Sequence, residues 1–242
     1  MKRYIESELL KYKRSLAIKI LIIVPIVAAF LGMTMPSKDN ANLMFMYNCW
    51  YIMLFPFLVA WIPGSNIAKE KKYCYHGMFC VVRDKKKLWL GKVWAALILL
   101  VVSMIMFVGL ASAIKVLMGG TFTIKTLVGA AIVLFITFAW QVPVGMMLTQ
   151  KFNIYVATVV SIIGNLIIGV VFIATESIWW LPYGISSRLM CPIISTLPNG
   201  VHVSTQPQLD NNGVIIPGII LSLIYFIIAM SVTKKMFDKE EL

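Results

Sequence analysis

The chain has 242 residues, of which 60% are hydrophobic and only 13% charged, and it carries a formal net charge of +12. Its mean hydropathy is +0.86. These values exclude an ordinary soluble domain. The strict alternation of a transmembrane barrel is missing, so the apolar runs of about 20 residues read as bilayer-crossing helices.

In chain order, a basic N-terminal tail precedes a first span at 16–35, "LAIKILIIVPIVAAFLGMTM". That run is too long for a signal-peptide core and no small-residue cleavage site follows it, so a retained anchor is expected. Further spans are expected at about 44–63, 93–117, 127–149, 154–174 and 214–233. Together they use nearly the whole chain and imply one transmembrane domain over 1–242. The apolar stretch 178–197 is a seventh candidate, but Pro182, Gly184, Arg188 and Pro192 argue against a continuous helix.

Lys and Arg set the orientation. With six spans, eighteen of the 22 basic residues fall on one side. Lys38, Lys115, Lys125 and Arg188 fall on the other. Both termini are therefore expected in the cytoplasm. Residues 65–92 become a cytoplasmic loop and 175–213 an outer loop, whose apolar part is expected to be a re-entrant helical hairpin. The basic residues cluster beside span ends, which accounts for the charge without nucleic acid. Attraction to anionic lipid is a secondary expectation for the N-terminal cluster.

The spans hold no Asp, Glu, Arg or His in their expected interiors. This argues against an ion-coupled carrier or an intramembrane metalloprotease. "LGK" at 90–92 has the ending of a phosphate-binding loop, but Lys86 stands where the first Gly is required and Val93 follows Lys92. No catalytic residue, metal site or cofactor is expected in this chain. Cys74, His76 and Cys80 lack a fourth ligand and tight Cys spacing for a zinc site, and the two cysteines read as reduced loop thiols. Asn48, Gln141 and Asn165 read as interhelical hydrogen-bonding groups. Pro25, Pro56, Pro143 and Pro217 read as kinks.

Residues 66–82, "NIAKEKKYCYHGMFCVV", have the spacing of an amphipathic helix lying along the membrane surface. Ile67, Tyr75, Met78, Phe79 and Val82 share one side, with Lys69, Lys72 and His76 on the other. The order of features resembles the permease subunit of ABC-2 exporters. In that family the loop after the second span carries a Glu, a Gly about seven residues on, basic residues and then Gly-Lys. Here these are Glu70, Gly77, Arg83 or Lys85 to Lys87, and Gly91–Lys92. The Pro common before the basic pair is missing. The outer segment "WWLPYGISSRLMCPIISTLPNG" at 179–200 resembles the pattern of lantibiotic-immunity permeases at Pro182, Tyr183, Arg188, Pro192, Ile193, Leu197, Pro198, Asn199 and Gly200.

The resemblance implies an all-α polytopic fold of ABC-2 exporter type in the plasma membrane of a Gram-positive bacterium. It implies a coupling helix built on Glu70, Tyr75, Gly77, Met78, Phe79 and Arg83, which docks on a separate ATPase present in two copies. ATP and Mg would sit on that ATPase. A second, similar permease would complete the complex, as a heterodimer or a homodimer, and lantibiotic or other antimicrobial peptides would be the substrate. Trp179, Trp180 and Tyr183 suit substrate contact or gating at interfacial depth. Pro182, Arg188, Pro192, Pro198, Asn199 and Gly200 would shape the outer hairpin. Export of a lipid, glycan or drug, and a scaffold or sensor subunit without a transport path, are the other readings the residues allow.

Overall fold

The computed structural model describes residues 1–73, 84–171, 178–200 and 202–239. Among these residues five helical stretches are long and apolar enough to cross a membrane, and a bent helix pair makes six. The architecture is that of a multi-pass helical membrane protein. Its elements are α1 (Lys2–Tyr12), α2 (Leu16–Met33), α3 (Ala41–Cys49), α4 (Phe55–Lys72), α5 (Lys85–Met118), α6 (Ile124–Phe138), α7 (Gln141–Lys151), α8 (Ile154–Leu166), α9 (Ile185–Ile194) and α10 (Ile215–Lys239).

The expected spans appear in order. A π-helical turn, Trp50–Leu54, joins α3 to α4 into the second span, and another, Ile167–Val171, extends α8. The fourth span is the pair α6 and α7, bent by 42°. The prolines explain much of this irregularity, because each lacks an N–H and frees the carbonyl four residues earlier. Pro143 withholds the bond to Ala139 at the bend, and Pro56 withholds the bond to Ile52 inside the first π turn. Pro25 frees the Leu21 carbonyl within α2, and there the Ser103 hydroxyl of α5 donates to it at 3.3 Å. A neighbouring helix thus re-satisfies a group that lipid could not.

The spans pack through small residues and aromatic rings. Trp50 stacks on Phe107 with centroids 4.2 Å apart, and Tyr47 meets the same ring edge-on. A polar cluster lies in the bundle beside the bend. The Ser161 hydroxyl lies 2.8 Å from Gln141 Oε1 and 2.9 Å from the Pro56 carbonyl. Asn165 Nδ2 donates to the same Gln141 oxygen and to the Ser161 carbonyl. Gln141 and Asn165 are therefore interhelical hydrogen-bonding groups, as their position in the sequence suggests.

The basic N-terminal tail is helical over residues 2–12. One feature differs from expectation. Residues 66–72 do not begin a separate surface helix but continue α4 without a break. The rest of the expected surface helix, with Tyr75, Gly77, Met78, Phe79 and Arg83, lies outside the described residues.

Candidate coupling site at the charged end of the bundle

The two ends of the bundle gather different loops. At one end α1 crosses the start of α5, and Lys86 pairs with Asp238 of α10 at 3.1 Å. Trp89 donates to the Thr233 hydroxyl at 3.1 Å and packs on Phe237. At the other end Asn40 exchanges hydrogen bonds with Thr121, at 2.6 and 2.7 Å, clamping the turn before α3 to the turn after α5.

A network of four charges sits at the first end. Lys92 Nζ donates to Glu8 Oε2 at 2.9 Å and also to Glu70 Oε1. Lys11 Nζ donates to Glu70 Oε1 at 2.7 Å and to Glu8 Oε1. Asn66 Nδ2 donates to Glu8 Oε2 at 2.7 Å. The side chains of Glu8 and Lys92 are only 1% and 2% exposed. Two cations against two anions leave the cluster neutral, which is what allows such burial.

Burial alone would raise the Glu8 carboxyl, but Lys92 and then Lys11 outweigh it and hold the group below its ordinary value. Burial would likewise lower the Lys11 ammonium, while Glu70 and Glu8 together raise it. Burial, then Glu8 and Glu70, push the Tyr12 hydroxyl up, so it stays protonated beside Asn66.

The local sequence explains how the cluster assembles. The apolar and half-buried positions Tyr4, Ile5, Leu9 and Tyr12 recur at helical spacing, and Glu8 falls on the same face. Gly91 lets α1 approach. A Cβ there would lie 2.9 Å from Tyr4 Cβ and 3.3 Å from the Tyr4 carbonyl carbon. Asp84 caps α5 by accepting from the Lys87 N–H at 3.0 Å. At 34 residues α5 is about 50 Å long, well beyond a hydrocarbon core of about 30 Å. It has length to spare for holding Gly91 and Lys92 at the bundle's end. Of the expected coupling residues, Glu70 is thus brought together with Lys92. Glu8, Lys11 and Asn66 were not anticipated.

The outer segment is not a helical hairpin. Among the described residues of this segment, 178–184 form turns, α9 is the one α-helix, and an isolated antiparallel bridge joins Thr196 to His202. Pro192 lies inside α9 without ending it. The helix stops at Ser195, which adopts a left-handed backbone with φ of 53°. Pro198 and Asn199 occupy a tight turn closed by the Gly200 N–H on the Leu197 carbonyl at 2.8 Å, with Gly200 at φ 83°. Pro182 stands in the turn before α9, half-buried.

Arg188 is buried in α9 and donates to the Leu209 carbonyl at 2.7 Å, at the end of a short helical turn, Pro207–Leu209. It makes no ion pair among the described residues; Glu176, the carboxylate nearest in sequence, lies outside them. Cys191, Leu197, Val203 and Leu209 form a small apolar cluster under this strap. Cys49 and Cys191 are free thiols.

The three aromatic candidates do not share one surface. Trp180 is exposed and Trp179 half-buried. Tyr183 turns inward onto Gly164, where a Cβ would meet its ring at 2.8 Å, and contacts Trp140 edge-on at 4.8 Å.

Among the described residues no group of His, Cys, Asp and Glu could hold a metal ion. Comparison of the chain with protein-family models, with curated proteins and with solved structures finds no match.

Proposed function

We propose that this chain is the membrane-spanning subunit of an ATP-driven exporter of the ABC-2 type, which protects a Gram-positive cell by expelling lantibiotic or related antimicrobial peptides from its plasma membrane. The observation that carries the reading is the network of Glu8, Lys11, Glu70 and Lys92, with Glu8 and Lys92 buried at its centre. Glu70 opens the segment between the second and third spans, and Lys92 closes it. Both are positions that the resemblance to ABC-2 permeases marks as important. Their side chains meet on the N-terminal helix, so a push on the intervening loop has a direct route into α1, α4 and α5. A chain whose span interiors lack carboxylate and His in the sequence needs such a route, because its energy must enter from another protein.

The ATPase, with its ATP and Mg, docks on residues 68–84, and a second similar permease completes the assembly. The basic end, with both termini, faces the cytoplasm. The peptide class rests on the pattern at 179–200 and on the amphipathic Trp179 and Trp180, which suit a substrate lying at the outer interface.

Purification of the chain from its native membrane tests the reading. A nucleotide-hydrolysing partner should co-purify, and its turnover should rise on adding a lantibiotic. Glu70→Lys should break that stimulation while the chain still reaches the membrane. Stable purification with no ATPase would favour the scaffold or sensor reading. ATPase turnover that responds to lipid, glycan or drug but to no peptide would keep the exporter and change its cargo.

A further inference from the structure

The residue after Glu70 points a second charge at a different part of the bundle. Lys71 Nζ donates to the Gln150 carbonyl at 3.0 Å and to the Phe152 carbonyl at 2.8 Å. These carbonyls stand at the C-terminal end of α7, where the helix leaves acceptors unsatisfied and carries partial negative charge. Phe152 has left helical geometry, at φ −111° and ψ −98°. Asn153 then caps α8 by accepting from the Val156 N–H at 2.8 Å. The turn between the fourth and fifth spans is therefore held by its own cap on one side and by Lys71 on the other. One level deeper the same helices touch closely. A Cβ on Gly64 of α4 would lie 2.7 Å from the Thr149 hydroxyl oxygen and 3.3 Å from Ile154.

We propose that Lys71 is a positioning residue that ties the start of the loop to the turn between α7 and α8, so that one displacement of residues 70–71 moves both halves of the bundle. Glu70 carries it to α1 and α5, and Lys71 carries it to the fourth and fifth spans. Adjacent helical residues project about 100° apart, which lets two neighbours engage opposite partners. The ammonium suits this task, because three donors on a long stem can serve two carbonyls together.

Hydrogen exchange on the full chain in lipid nanodiscs tests the clamp without any partner. Lys71→Met keeps the apolar stem and removes the donors. Amides of residues 152–157 should then exchange about tenfold faster, equivalent to roughly 1.4 kcal/mol of local stability, while residues 2–12 keep the wild-type rate. Glu70→Gln should do the reverse, and Lys71→Arg should restore slow exchange. Unchanged exchange at 152–157 in Lys71→Met overturns the clamp, whether or not the chain is an exporter.

The transmission of movement rests on the exporter reading and is measured as survival of cells against a lantibiotic panel. Where wild type protects, Lys71→Met at a normal membrane level should lose most of that protection and Lys71→Arg should regain it. Full protection by Lys71→Met overturns the transmission. If wild type itself protects against nothing in the panel, the exporter reading fails and the transmission falls with it, while the exchange rates still decide the clamp.

Discussion

Lys92 and Glu8 define the energetics of the charged end. Each is almost fully buried and each is the other's partner. Removing one member of such a pair strands the other charge and costs about 3–5 kcal/mol, whereas replacing both by apolar groups can be nearly neutral. Lys92→Met should therefore lower the thermal unfolding temperature sharply, and Glu8→Leu combined with Lys92→Met should recover most of the loss. Equal destabilisation by the single and double variants would contradict the pairing. The network also sets a pH window. The Glu8 value is lowered on folding, so its contribution is complete above the ordinary carboxylate range and is lost as pH falls through the lowered value. The Lys11 value is raised, so its contribution is complete below the ordinary lysine range and is lost as pH rises through the raised value. Unfolding temperature against pH should show a plateau between these limits, with the acid limb missing in Glu8→Leu/Lys92→Met. Glu70 and Lys92 were visible in the sequence because they open and close one loop. Glu8 was not: it lies 84 positions from Lys92, and a Glu among Lys and Arg on an N-terminal tail reads as a solvated charge. The spacing of Tyr4, Ile5, Leu9 and Tyr12, with Glu8 on the same face, was the available signal.

Elements meet where glycine leaves room, and this makes helix contacts testable. The obstruction at Gly91 involves Tyr4 Cβ and backbone rather than the ring. Gly91→Leu should cost about 1–3 kcal/mol by overpacking, and Tyr4→Ala should not rescue it, since Cβ and backbone remain. Loss of α1 protection in hydrogen exchange, with α2 intact, is the expected signature. On the outer side, Trp179→Ala with Trp180→Ala should lower peptide resistance at unchanged membrane level. Trp180 is exposed, so wild-type protection would move the substrate path elsewhere. Tyr183 belongs to a different class, because its ring covers Gly164. Gly164→Leu should destabilise the seating of the outer segment. The prolines announced irregular spans in the sequence, but which would bend and which would insert a π turn depends on neighbours such as Ser103 and Ser161. The outer segment was legible as apolar and broken. That Arg188 straps it down through the Leu209 carbonyl, leaving a single helix, depends on a contact 21 positions away.

For the molecule as a whole, hydropathy placed the spans in order, because burial in lipid demands long apolar helices whatever their partners. It did not separate the second span into two helices joined by a π turn, nor extend α4 through Lys72. The proposed orientation rests on charge. Single cysteines in a background lacking the four native ones should be shielded from an impermeant reagent in intact cells at Lys86 and Lys151, and labelled at Lys38 and Lys125. Labelling at Lys86 from outside would invert the topology. The central claim is that force applied near Glu70 and Lys92 drives removal of a peptide from the membrane. Its most direct test is the rate at which cells carrying the complete transporter release a fluorescent lantibiotic preloaded in their membranes, with and without cellular ATP. ATP-dependent release by wild type, abolished by Glu70→Lys at equal membrane level, is the predicted result. Release that is independent of ATP, or unchanged in Glu70→Lys, would contradict the account.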